Sequence, residues 1–64
     1  MSNIITISKT PSGYNASYAG DMAEEIFLLF GTRTLPTSFT AGASMGMVKA
    51  EIERLNPGYT IKEA

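Results

Sequence analysis

Between Gly31 and Ser44 the chain sets hydroxyls around a single guanidinium: Thr32, Arg33, Thr34, Thr37, Ser38, Thr40 and Ser44. An arginine flanked by hydroxyls can hydrogen-bond a carboxylate, a phosphate or a peptide backbone. The same hydroxyls can instead satisfy the loop's own backbone, with Thr40 or Ser44 capping the helix that follows. A connector this long in so short a chain is more often functional than incidental. These seven residues are therefore the binding candidates, and the chemistry they offer is polar contact.

The next segment, Gly42-Ala43-Ser44-Met45-Gly46, is a glycine-rich helix start. Free N–H groups at such a start can receive an anion. The phosphate-loop motif is absent: it needs four residues between its glycines and a Lys-Ser/Thr pair directly after, whereas here three residues separate Gly42 from Gly46 and Met-Val-Lys follows. A second reading takes Gly42, Gly46 and Ala50 at i, i+4 and i+8 as a stripe of small residues that lets another backbone approach closely. Glycine inside a helix costs about 1 kcal/mol relative to alanine, so Gly46 calls for a steric reason. The approaching surface is either the domain's own sheet and helix or a second copy of the chain. These three are the interface candidates.

Catalysis has little to work with. Histidine and cysteine are both absent, which removes the commonest general base and the thiolate and imidazole metal ligands. Asp21 and Glu24 suit the start of a helix, and Glu51 and Glu53 a solvated helix face. A two-carboxylate hydrolase needs both acids across a cleft that holds its substrate, and a chain of 64 residues rarely encloses one. No spacing points to a serine–lysine pair. The chain reads as a non-enzyme that needs no cofactor or metal. Met22, Met45 and Met47 suit either core gaps or an adaptable binding surface. Tyr14 and Tyr18 suit cross-strand packing or stacking on a base.

These candidates need elements to hold them. Residues 3–9 alternate, with Ile5 and Ile7 on one side and Ile4, Thr6 and Ser8 on the other, the period of a strand. Thr10-Pro11-Ser12-Gly13 is a type I turn signal, and residues 14–19 alternate again, which completes a β-hairpin. Asp21 is placed to cap a helix, with Glu24 three residues on. Met22, Ile26, Leu29 and Phe30 then share one face, and Gly31 stops the helix. Five consecutive apolar residues, 26–30, also permit a buried strand; the caps favour helix. A second helix runs from about residue 42 or 44 to Leu55, with Met45, Val48, Ile52 and Leu55 as its stripe and Lys49 and Glu53 paired on its wet side. Asn56-Pro57-Gly58 ends it, and residues 59–62 form a last strand with Tyr59 and Ile61 inward.

The expected architecture is a single α+β domain over residues 1–64, in the order β-β-α-α-β. An N-terminal β-hairpin, one short helix and one longer helix pack on a three-stranded, mainly antiparallel sheet. Its core is expected to hold Ile5, Ile7, Tyr18, Ile26, Phe30, Leu35, Val48, Ile52 and Ile61. The hairpin resembles in outline the small ββ-containing modules of antitoxins and other mobile-element proteins, a likeness of length and strand-turn-strand pattern that transfers no residue roles.

Only 17% of the residues are charged and 44% are hydrophobic, against about 25% charged in an average soluble protein. A lightly charged surface favours self-association. Net charge is −1, far from the basic footprint of a nucleic-acid binder. No membrane span or leader pattern is evident, so a soluble, cytoplasmic protein is expected. The function expected is a small interaction protein, self-associating and binding a protein or small ligand, for instance an inhibitor or sponge from a phage or mobile element. The alternatives are a nucleic-acid-binding module using the sheet face and Arg33, and a small structural subunit of a larger complex.

Overall fold

Two seven-residue strands form first along the chain: β1, Ile4–Thr10, and β2, Gly13–Ala19. They pair antiparallel, from Ile4 opposite Ala19 to Thr10 opposite Gly13. Pro11 and Ser12 make the turn. Among the described residues only glycines have positive φ, so this turn is not one of the primed types, and proline supplies its fixed φ. The computed structural model describes residues 3–64.

Helix α1, Asp21–Phe30, follows directly. The sequence left 26–30 open between helix and strand, and helix is what forms. Its N-cap is Gly20, with no side-chain cap bond. Asp21 therefore stands at the first helical position rather than at the cap, and its N–H donates to Asn3 Oδ1 at 2.9 Å. At the far end Gly31 adopts the left-handed conformation (φ 74°), and its N–H donates to the Phe27 carbonyl at 2.8 Å. That stop was legible, because only glycine takes this conformation without strain.

A short strand, β3 (Thr34–Pro36), then adds to β2 antiparallel, with Leu35 opposite Ala16. Its pairing runs beyond the strand at both ends: Tyr18 N–H donates to the Arg33 carbonyl and Thr37 N–H to the Tyr14 carbonyl, each at 2.9 Å. The sheet thus has four strands rather than the three expected. Three residues ending in proline carry no readable alternation, and proline is tolerated here because β3 is an edge.

Helix α2, Met45–Leu55, leads to β4, Thr60–Glu63, which pairs parallel to β1. The sheet order is β3-β2-β1-β4. Since β3 and β4 both run parallel to β1 and occupy opposite edges, α2 must cross the two middle strands. That crossing makes the core: Ile5, Ile7, Tyr14, Ala16, Val48, Ile52 and Ile61 are buried together, with Tyr18, Phe39, Ala43, Met45 and Tyr59 packed around them. Ile5, Ile7 and Val48 are wholly excluded from solvent, each contributing roughly 1.5–3 kcal/mol of apolar burial.

The core differs from expectation at α1. Ala23 and Ile26 are its buried residues, whereas Met22, Leu29 and Phe30 are exposed. Leu55 is also exposed, and Leu35 is half-buried. Helix α1 lies against β2, a middle strand, and α2 against β4, and of α1 only Ala23 and Ile26 are buried.

Candidate functional site

The hydroxyl-rich segment is mostly occupied with its own structure. Thr32 Oγ1 accepts from the Thr34 N–H at 3.1 Å. Thr34 Oγ1 lies 2.6 Å from Ser17 Oγ across the β2–β3 pair. Thr37 Oγ1 donates to the Tyr14 carbonyl at 2.9 Å and accepts from the Phe39 N–H at 3.3 Å. Ser44 is the N-cap of α2, its Oγ accepting from the Met47 N–H at 3.2 Å. Ser38 and Thr40 hold exposed positions in the connector. Of the seven binding candidates, Arg33 alone reaches across to another element through its side chain's charge.

Arg33 lies against α1. Its guanidinium carbon stands 4.4 Å from the centroid of the Phe27 ring, and its Nη2 lies 3.5 Å from Glu24 Oε2. Both partners are exposed, so the ion pair is screened and contributes little. Its geometric effect is clearer: it holds a planar cation over one side of the α1 apolar turn.

That turn is the largest chemical anomaly in the molecule. Leu28 is 77% exposed, Leu29 72% and Phe30 61%, with Met22 and Phe27 just above 40%. Four of these five are consecutive, Phe27 to Phe30, and so encircle a full helical turn. The sequence singled out Leu29 and Phe30 as inward-facing and passed over Phe27 and Leu28. The readable signal was the unbroken apolar run from Ile26 to Phe30, which is wider than any one-sided stripe.

The small-residue candidates separate. Helix α2 begins at Met45, so Gly42 lies outside it and does not extend a helical stripe through Gly46 to Ala50. Gly46 and Ala50 are exposed, and a Cβ built on Gly46 meets nothing within 4 Å. Among the described residues nothing packs on this position.

The other side of the sheet is mostly polar. Alternation places Ile4, Thr6, Ser8 and Thr10 of β1, Asn15, Ser17 and Ala19 of β2, Thr34 and Pro36 of β3, and Thr60 and Lys62 of β4 there, each half-buried or exposed. Tyr14 and Tyr18 point to the helix side, as Arg33 does. The bare face and Arg33 therefore lie on opposite sides of the sheet, and Lys62 is the cation the bare face carries.

The carboxylates are scattered. Glu51 is paired with Arg54, whose Nε donates at 3.1 Å, and this holds the Glu51 carboxyl below the usual carboxylate range. Lys49 reaches Glu63 of β4 at 3.6 Å rather than Glu53. Among the described residues no group of three His, Cys, Asp or Glu side chains is placed to hold a metal ion, and no helix is long and apolar enough to cross a membrane.

Comparison with known protein families, with curated proteins and with solved structures finds no match to this chain.

Proposed function

We propose that this chain is a small, non-catalytic interaction protein that docks through the apolar C-terminal turn of α1. The observation that carries the reading is the exposure of Phe27, Leu28, Leu29 and Phe30 together on one short helix. Scattered exposed hydrophobics are ordinary, but a contiguous cluster rimmed by polar residues marks an interaction site. The rim is present: Glu24, Glu25 and Thr32 stand around the cluster, and Arg33 lies over the Phe27 ring. The polar segment first singled out by its hydroxyls contributes to this surface through Arg33, with Thr32 and Thr34 bracing the backbone on either side of it.

A photo-reactive amino acid placed at position 28 in the cells that express the protein tests this. Cross-linked adducts are expected from position 28 and not from position 62 on the bare sheet face. No adduct at position 28, with the protein present and folded, overturns the reading.

A further inference from the structure

Resting on that docking surface, we infer that its occupant is a lipid surface: the last turn of α1 enters the outer layer of a zwitterionic membrane end-on, with Arg33 left among the headgroups. Three observations support this. The first is that the turn overhangs the domain. Measured from Ile26 at about 100° per residue, Phe27 points roughly 100° around the axis, Leu28 roughly 200°, Leu29 roughly 300° and Phe30 roughly 40°. Ala23, three residues before Ile26, points roughly 60° from it. Phe30 thus lies between the two buried residues in direction, yet it is 61% exposed. The cover over Ala23 and Ile26 stops short of it. Every residue from Phe27 to Thr34 is exposed, and a Cβ built on Gly31 meets nothing within 4 Å.

The second is that the overhanging turn is apolar in every direction. A protein face covers one side of a helix and leaves the other side chains in water. A fluid hydrocarbon layer closes around all of them and needs no matched surface. A protein socket can also enclose a helix end, but it fixes its guest through a few placed polar groups, and two phenylalanines and two leucines offer it none. The depth fits as well. One turn advances about 5.4 Å along the axis, and apolar faces seated at a membrane surface sink about 5–10 Å, to the boundary of headgroups and acyl chains. No described helix is long and apolar enough to cross a membrane, so the contact is with one surface.

The third is charge. The last turn carries no ionisable side chain, so no charge has to be drawn towards hydrocarbon. Arg33 stands at its base, with its guanidinium over the Phe27 ring. A long cationic side chain in that place packs its stem on apolar surface and keeps its head at the level of the phosphates. Glu24 and Glu25 lie earlier on the helix, set back from the end that enters. Two carboxylates beside one guanidinium, on a chain of net charge −1, are repelled by an anionic surface. The membrane that suits this turn therefore has no net charge, and the attraction is apolar.

Flotation of the purified protein with phosphatidylcholine vesicles decides it. The protein is expected to float with small, highly curved vesicles, whose loosely packed headgroups admit an apolar turn. Binding should weaken when phosphatidylserine replaces part of the phosphatidylcholine. Leu28→Asp and Leu29→Asp should each lower the partition coefficient by about tenfold or more. Their circular dichroism should stay unchanged, since neither side chain is buried in the fold. Lys62→Gln, on the far side of the sheet, should leave binding as it is. With Phe30→Trp, emission should shift to shorter wavelength on the vesicles and be quenched by lipids brominated near the headgroup end of the chain. A protein that stays in the aqueous fraction overturns the inference, as does binding that requires phosphatidylserine or survives both leucine variants. No flotation, together with position-28 adducts to a protein in cells, overturns the lipid surface and leaves the docking surface standing. Neither flotation nor adducts removes both.

Discussion

The Tyr59 hydroxyl is buried with no hydrogen-bond partner among the described residues. Burial first, and then the nearby Asp21 and Tyr18, push its pKa above the ordinary 10.0. An unpartnered hydroxyl costs about 1–3 kcal/mol of desolvation. Tyr59→Phe is therefore expected to leave stability unchanged or raise it by about 1 kcal/mol, measured by urea unfolding at pH 7. The pH dependence has a definite sign. A phenol whose folded pKa exceeds its unfolded value holds its proton more tightly when folded, so its contribution is complete below pH 10 and is lost as pH rises through the folded value. The phenylalanine variant should lack that part of the alkaline decline. At the same scale, Arg33 shows how a residue legible as a candidate acquires its meaning from packing: its charge was plain in the sequence, its position over Phe27 was not.

Helix α2 carries two opposed tendencies that can be measured separately. Ser44 caps it by accepting from Met47, and Ser44→Ala should cost about 1 kcal/mol in thermal or denaturant unfolding. Gly46 weakens it, in open space. Gly46→Ala should stabilise the protein by up to about 1 kcal/mol, and a loss of stability would mean that a close neighbour packs there after all. The two changes lie two residues apart, so each is best measured alone. Helix α1 is different in kind. Its ends are set by glycines, Gly20 and Gly31, and its middle by a run of apolar residues too broad for the face the sheet can cover. The helix and its stop were readable from Gly31 and the periodicity. Its inward face was not, because an all-round apolar sequence fits several rotations about the axis equally well. Contact with Ala23 and Ile26 selected one.

For the whole molecule, a short chain with a small core and a bare apolar turn has a stability that association can raise. A melting temperature that climbs between micromolar and millimolar concentrations would report association, and a transition that ignores concentration would point to a self-sufficient monomer. The parallel β1–β4 pair joins the two ends of the described chain, so the sheet closes only when everything between has folded. That long-range closure favours cooperative unfolding, and the same transition should be seen by circular dichroism and tyrosine fluorescence.

The local pattern determined what local forces can determine: the hairpin from two alternating runs around Pro11 and Gly13, the helices from their periods, and the α1 stop from Gly31. It also bounded the chemistry, since a chain without histidine or cysteine has a limited set of reactive groups. Tertiary structure decided the rest. The three residues of β3 become a strand because β2 offers them an edge, not because their own pattern demands it. The parallel edge position of β4 follows from α2 crossing over the middle strands. The exposure of Phe27 to Leu29 follows from α1 turning Ala23 and Ile26 inward. Strand addition, crossover and helix rotation all depend on partners far along the chain, and no short window of sequence contains both members of such a pair.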